Sequence, residues 1–235
     1  MLRGKRPDEH VRGRIRKLAG RTAGIVAGAA LLLSTLSPIA RVEAQVYHMS
    51  YLYFGTPEAI EQNVKKTNGA LDMVSPSFFD VDEDGSLLMS ALFSPDLVRR
   101  LHAQGVKVVP FLSNHWDRKR GERALNRASD LADEIVRAVA QYDLDGINVD
   151  IENVSEAYRE KYTNFVRILR ERLPDDKEVS VAVAANPNGW RDGWHGSYDY
   201  KALAEAADYL MLMAYDQSFQ GGPEGPVAAL PWVER

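Results

Sequence analysis

Eight consecutive residues, Asp145-Gly146-Ile147-Asn148-Val149-Asp150-Ile151-Glu152, limit the folds open to this chain. Side chains on a strand alternate between faces. Read as a strand, the segment shows Ile147, Val149 and Ile151 on one side and Asn148, Asp150 and Glu152 on the other. An interior face lined with carboxylates is costly unless they are partnered or used. The segment therefore reads as a buried strand whose polar face is a candidate active-site wall.

Strand-like and helix-like stretches alternate around it. Strand patterns run over 46–54, 71–81, 106–112, 145–152, 179–185 and 209–215. Helical patterns run over 57–68, 94–105, 121–142, 155–173 and 200–207. Ser94 before Pro95 is a preferred helix start, and Gly69 and Gly105 are preferred stops. Steady βαβα alternation with short apolar strands predicts a parallel sheet covered by helices. An open doubly wound sheet and a (β/α)₈ barrel both fit. No Gly-x-Gly-x-x-Gly follows the first strand, which removes support for a dinucleotide fold. Polar side chains at the C-terminal end of a middle strand suit a barrel, whose sites lie on that face. The expected fold is an α/β, TIM-type (β/α)₈ barrel. Eight units usually take about 250 residues. Six strands are readable, so the barrel is expected to be truncated after the sixth strand and the chain to be a fragment.

The first 44 residues are expected to lie outside the barrel. Arg3, Lys5, Arg6, Arg12, Arg14, Arg16, Lys17 and Arg21 make a basic front, 23–36 is apolar, and Val42-Glu43-Ala44 resembles a cleavage site. Together they predict a secretory signal peptide over 1–44 and a catalytic domain over 45–235. The apolar run is shorter than the roughly 20 residues a spanning helix needs, so no stable membrane insertion is expected after cleavage. The net charge of -4 gives no sign of nucleic-acid binding. The absence of cysteine excludes disulfides and thiolate metal sites, and weakly favours a bacterial exported protein.

The chemistry of the acidic strand follows from its spacing. Asp150 and Glu152 sit two residues apart, roughly 6.6 Å along one wall. They cannot easily flank a sugar ring from opposite sides, as a conventional two-carboxylate glycosidase requires. One can still be a general acid. Glu152 lies nearest the open end, and repulsion from Asp150 would keep it protonated near neutral pH. Asn148 below is positioned to hydrogen-bond Asp150 and orient it. Asp-x-Glu reads equally well as a magnesium or calcium site, and residue types alone leave both readings open.

The pattern Asp-Gly-x-x-x-Asp-x-Glu, at Asp145, Gly146, Asp150 and Glu152, resembles the signature of family 18 glycoside hydrolases, which include chitinases. Asn148 departs from the Asp usual there. Two strands on, Met213-Ala214-Tyr215-Asp216 resembles the family's Met-x-Tyr-Asp, and Ser77-Phe78 resembles a Ser-Phe pair beneath its sugar site. Together with Asn186-Pro187-Asn188-Gly189-Trp190, the texture is similar to exported members from spore-forming bacteria that cut cell-wall glycans.

The resemblance implies a secreted or cell-wall-associated glycosidase acting on β-1,4-linked N-acetylhexosamine glycans, of peptidoglycan or chitin type. It implies retaining, substrate-assisted hydrolysis, an exception to the two-carboxylate scheme. Glu152 would protonate the glycosidic oxygen, Asp150 would hold the acetamido N–H, and Tyr215 would bond the acetamido oxygen. Asn148, Met213, Asp216, Phe78 and Trp190 would line the substrate. No metal or organic cofactor is required, and the partner is a glycan containing N-acetylglucosamine. A non-catalytic sugar-binding barrel and a metal-dependent barrel hydrolase are the alternatives. Because Asn148 cannot share a proton as an Asp would, Asp150 is expected to stay ionised to lower pH.

Trp116, Trp190 and Trp194 follow strands, where ligand-facing loops occur, and two of the three are expected near the cleft. Tyr51 or Tyr53 would face inward. Asp80-x-Asp82-x-Asp84-Gly85 imitates an EF-hand start, but Ala91 stands where the bidentate Glu belongs, so a polar turn is expected. Asn153-Val154-Ser155 reads as a helix-cap region rather than a glycosylation acceptor. His48, His102, His115 and His195 lack ligand spacing and read as ordinary polar or packing residues.

Overall fold

A computed structural model describes residues 46–235, and the leader expected over 1–44 lies outside the described residues. The strands are β1 (Met49–Leu52), β2 (Met73–Pro76), β3 (Phe79–Val81), β4 (Leu87–Met89), β5 (Lys107–Val108), β6 (Phe111–Ser113), β7 (Gly146–Asp150), β8 (Glu178–Ala184) and β9 (Tyr209–Met213). The helices are α1 (Pro57–Lys66), α2 (Pro95–His102), α3 (Arg118–Asn126), α4 (Ala128–Gln141), α5 (Arg159–Arg172), α6 (Tyr200–Ala206) and α7 (Leu230–Val233).

Two expected strands are interrupted. The stretch 71–81 becomes β2 and β3 on either side of Ser77-Phe78, and 106–112 becomes β5 and β6 around Val109-Pro110. Pro110 has no N–H for a ladder. Its carbonyl still accepts the Asn148 N–H at 2.9 Å, so the passage keeps its line. Counting each pair as one passage, six parallel passages run in chain order: β1, β2/β3, β5/β6, β7, β8 and β9. This is the parallel, helix-covered plan of a (β/α) barrel.

The wall is curved. In a flat sheet β1 and β7 would stand three strand spacings apart, about 4.8 Å each. Instead the Tyr51 hydroxyl of β1 donates directly to Asn148 Oδ1 of β7 at 2.9 Å. At the other end the rings of Tyr47 and Tyr209 meet edge-on, 6.3 Å between centroids. The inner face is therefore the polar face of β7. Both Tyr51 and Tyr53 face inward: each ring packs on Phe111, at 5.4 and 5.7 Å.

The outer face of β7 supplies the core. Ile147, Val149 and Ile151 are fully buried with Leu131 and Ile135 of α4 and with Tyr162, Phe165 and Leu169 of α5. Gly146 opens the strand at φ +152°, and a Cβ there would collide with the Glu178 carbonyl of β8. Only glycine lets the two backbones approach this closely.

Several boundaries differ from the sequence expectation. The helix expected over 121–142 is two, α3 and α4, divided at Arg127, whose guanidinium binds Glu134 at 2.8 Å. The helix over 155–173 begins as a short 3₁₀ turn, Glu156–Tyr158, with Ser155 at its N-cap position but no side-chain cap bond. The last strand ends at Met213, two residues early, and the tail carries the unforeseen α7. The EF-hand-like run is a hairpin turn between β3 and the unforeseen antiparallel β4, with Asp84 Oδ1 accepting the Ser86 N–H at 2.9 Å. No described helix is long and apolar enough to cross a membrane.

Candidate active site

The acidic strand climbs from structural to reactive positions. At its foot, Asp145 Oδ2 lies 2.7 Å from His102 Nε2 and accepts the Val108 N–H at 2.7 Å. This carboxylate ties α2 and β5 to β7 and points away from any cleft.

Asn148 is completely buried. Its Oδ1 accepts from Tyr51, and its Nδ2 donates to Ser180 Oγ of β8 at 2.7 Å. Both ends of the amide are thus engaged across the barrel. The expected hydrogen bond from Asn148 to Asp150 is not made, which corrects that expectation.

Asp150 stands one inward position higher, and its Oδ1 is buried without a hydrogen-bond partner. Burial disfavours the charged form and pushes this carboxyl up to about 6, with His115 acting in the opposite sense. The expectation that Asp150 stays ionised to lower pH is relative to a chain with Asp at 148, and Asn148→Asp is the variant that tests it.

Glu152 lies just past the end of β7. Its carboxyl is pushed up to about 7, first by burial, then by Asp150 and by Asp216. The expected repulsion from Asp150 operates, but desolvation is the larger cause. The backbone of Glu152 is clamped by the buried Asn114: Asn114 Oδ1 accepts the Glu152 N–H and Nδ2 donates to the Glu152 carbonyl, both at 2.8 Å.

β9 brings the phenol of Tyr215 into the same field. Met213 closes the strand, buried and in register with Ala184 of β8. Tyr215 follows, half exposed, its titration raised by burial and then by Asp150, Glu152 and Asp216. Asp216 takes a left-handed φ of +61° beside it.

The other expected substrate contacts separate into two groups. Phe78 is fully buried, its ring edge-on to Phe93 at 5.3 Å, and Phe93 packs on Tyr142. It belongs to the helix-side core, which departs from the expected sugar-facing ring. Alternation from Ser75, which stands opposite inward-facing Tyr51, puts Phe78 on the outer side. Trp190 is exposed on the loop after β8, where Asn186 Oδ1 accepts its N–H at 2.9 Å. It meets His195 at 4.8 Å, His195 meets Trp194 at 3.8 Å, and Trp194 meets Trp116 at 4.9 Å. These rings form one rim band on the loops flanking Glu152. Trp116 and Trp190 are half exposed, while Trp194 also packs on buried Tyr198.

Sequence reasoning missed Asn114, Ser180, Asp80 and His115. Ser180 and Asp80 are legible from strand alternation, as inward positions of β8 and β3. His115, expected as an ordinary polar or packing residue, has Nε2 2.8 Å from Asp80 Oδ1. Among the described residues no three His, Asp or Glu side chains are grouped as metal ligands would be.

Chemically, the site offers a carboxyl that is protonated near neutral pH, a second carboxyl one strand position below it, and a phenol. It can donate a proton to, and orient, a polar group placed above β7.

Comparison with known proteins gives a consistent likeness. The model of glycosyl hydrolases family 18 matches residues 49–232. The cortical fragment-lytic enzyme of Bacillus anthracis is 32% identical over 98 residues, which is 41% of this chain and 22% of that protein. The di-N-acetylchitobiase of Rattus norvegicus is 27% identical over 155 residues, 60% of this chain and 39% of that protein. This chain thus spans well under two thirds of the curated relatives it matches. Among solved structures, the Bacillus cereus spore cortex-lytic enzyme SleL superposes with a TM-score of 0.72 at 21% identity, over 80% of this chain and 46% of that one.

Proposed function

The chain belongs to the family 18 glycosyl hydrolases, and from that membership we propose that it hydrolyses β-1,4-linked N-acetylhexosamine glycans with retention, using the substrate's own acetamido group as nucleophile. One observation carries the reading. Two buried carboxyls with raised titrations, Asp150 and Glu152, rise from one strand with the phenol of Tyr215 in their field. Carboxyls on a single wall fit a scheme in which only one transfers a proton and the substrate supplies the second reactive group.

In that scheme Glu152 protonates the glycosidic oxygen as the C–O bond breaks. The acetamido carbonyl oxygen bonds to the anomeric carbon and gives an oxazolinium ion. Asp150 accepts a hydrogen bond from the acetamido N–H and balances the positive charge, and Tyr215 donates to the acetamido oxygen. Glu152, now ionised, takes a proton from water as the water oxygen bonds to the anomeric carbon from the face the leaving group left, and the bond from that carbon to the acetamido oxygen breaks. Asn148 orders the barrel floor by bonding Tyr51 and Ser180. Met213 and Asp216 frame the mouth, and Trp190 on the rim is a stacking face for a sugar. No cofactor enters these steps.

Residues 45–235 form the catalytic domain in this proposal, and 1–44 direct it out of the cell, to the wall or the medium. The relatives' names, a cortical fragment-lytic enzyme and a chitobiase, support wall-type and chitin-type glycans as the first substrates to try.

The test compares matched oligosaccharides with and without N-acetyl groups and follows product anomers by NMR. The proposal expects cleavage of the N-acetylated series alone, with the β-anomer released first. Equal cleavage of the free-amine series, or release of the α-anomer, overturns the mechanism. Loss of activity in a chelator would instead support Asp150 and Glu152 as metal ligands.

A further inference from the structure

Three registered positions form a polar row across the inner face. Asp80 of β3 pairs with Ser113 of β6, and Ser113 pairs with Asp150 of β7. Registered neighbours in a sheet project to the same side, so Asp80, Ser113 and Asp150 point the same way, at successive strand spacings. His115 follows this row by two residues. The chain turns back on itself there: His115 and Trp116 take consecutive left-handed φ values of +48° and +63°. Neither residue is a glycine, and bulky residues rarely adopt this conformation. The turn is held by the His115 N–H donating to Ser113 Oγ at 3.0 Å and by Asn153 Nδ2 donating to the Trp116 carbonyl at 2.9 Å. It brings the His115 ring against the Asp80 end of the row, with Nε2 2.8 Å from Asp80 Oδ1.

We propose that Asp80 and His115 are a positioning pair for Asp150: Asp80 holds the His115 ring at the end of the row, and the ring, when protonated, stabilises the ionised carboxylate that orients the acetamido group. The inference rests on the role given to Asp150 above. Its need is physical. Asp150 has a buried, unpartnered oxygen, and an anion there requires a compensating charge. Of the titratable groups around it, Glu152 on the same strand and Asp80 two strands along the row add like charge when ionised. The phenols of Tyr51, Tyr162, Tyr198 and Tyr215, from β1, α5, the segment before α6 and the segment after β9, add none while protonated. His115 is the group that favours the charged form.

The test is a ¹³C carboxyl NMR titration of Asp150 in wild type, His115→Gln and His115→Lys, with kcat/KM measured against pH on the same samples. The proposal expects His115→Gln to move the Asp150 titration and the acidic limb of kcat/KM together to higher pH. His115→Lys, which keeps a positive charge, returns both towards wild type. By linkage, Asp150→Asn moves the His115 ring titration to lower pH, a reading that needs no variant at the strained turn. An Asp150 titration unmoved by His115→Gln overturns the proposal. So does a His115→Lys shift as large as that of His115→Gln, or a His115 titration indifferent to Asp150→Asn. The titrations do not depend on turnover. If wild type cleaves no glycan while they shift as expected, the proposed function fails and the Asp80–His115–Asp150 coupling stands.

Discussion

Asn114 grips the Glu152 peptide from both sides, taking its N–H and giving to its carbonyl at 2.8 Å each. The same Nδ2 also donates to the Asp117 carbonyl at 2.8 Å, which fixes the start of α3. Gly121 of α3 leaves the room: a Cβ there would lie 2.8 Å from Asn114 Nδ2. The backbone under the proposed acid is therefore rigid, while its carboxyl remains free to exchange a proton.

Asn114→Ala should remove these bonds and leave the Glu152 N–H without its partner. The cost is about 2 to 4 kcal/mol, from about 1 kcal/mol per bond and the penalty of a buried unsatisfied group. Chemical denaturation measures the stability loss. Steady-state kinetics should show kcat falling more than KM rises, because the acid loses its placement while the sugar contacts remain. An unchanged kcat in a folded variant would separate the clamp from catalysis.

The pH dependence of kcat/KM should be a narrow bell. Asp150 must be ionised, so activity falls as pH drops through about 6. Glu152 must be protonated, so activity falls as pH rises through about 7. The two carboxyls interact, and the limbs report the pair rather than either residue alone. A broad plateau reaching well below or above these limits would contradict the burial described for them.

Stability should run against function at the same groups. Both folded titrations lie above the ordinary carboxylate range, so the folded state holds these protons more tightly than the unfolded chain. That stability is present below about pH 4 and is lost as pH rises through about 6 and 7. Asp150→Asn should therefore be more stable than wild type at pH 8, on the order of 3 kcal/mol for a shift of about two units. The gain should vanish at pH 4. Urea unfolding at the two pH values checks it, and an Asn variant no more stable at pH 8 would refute the sign.

Asn148→Asp puts a third carboxyl on the strand below Asp150. Oxygen in place of Nδ2 can still accept from Ser180, so the fold should survive. A nearby like charge raises a carboxyl's titration, and the acidic limb of activity should move to higher pH than in wild type. Matched pH–rate profiles that superimpose on the acidic side would remove Asn148 from the account.

Much of this was legible from periodicity because each strand announces its own two faces. The inward set Asn148, Asp150 and Glu152 and the outward set Ile147, Val149 and Ile151 follow from alternation alone. What alternation cannot carry is register between strands. That Tyr51 and Ser180 engage both ends of Asn148, leaving Asp150 unbonded, depends on which residues of β1 and β8 stand opposite β7. Phe78 was expected beneath the sugar from its resemblance to a Ser-Phe pair, whereas alternation from Ser75, which stands opposite inward-facing Tyr51, already puts it on the outer side. His115 was missed because a left-handed turn at a non-glycine residue has no composition signal. Asn114 was missed because its partner is a backbone, which no side-chain motif records.

The most direct measurement is glycan cleavage by wild type and Glu152→Gln, using peptidoglycan-type and chitin-type oligomers at pH 6.5 (about midway between the two limbs) with product sugars quantified. Glutamine keeps the size and the Asn114 clamp but cannot give up a proton as the carboxyl does. General acid catalysis is worth about 10² to 10⁴-fold, so the variant should lose at least about 10²-fold in kcat while remaining folded and retaining sugar affinity. If wild type and Glu152→Gln release the same sugars at the same rate, Glu152 is not the proton donor.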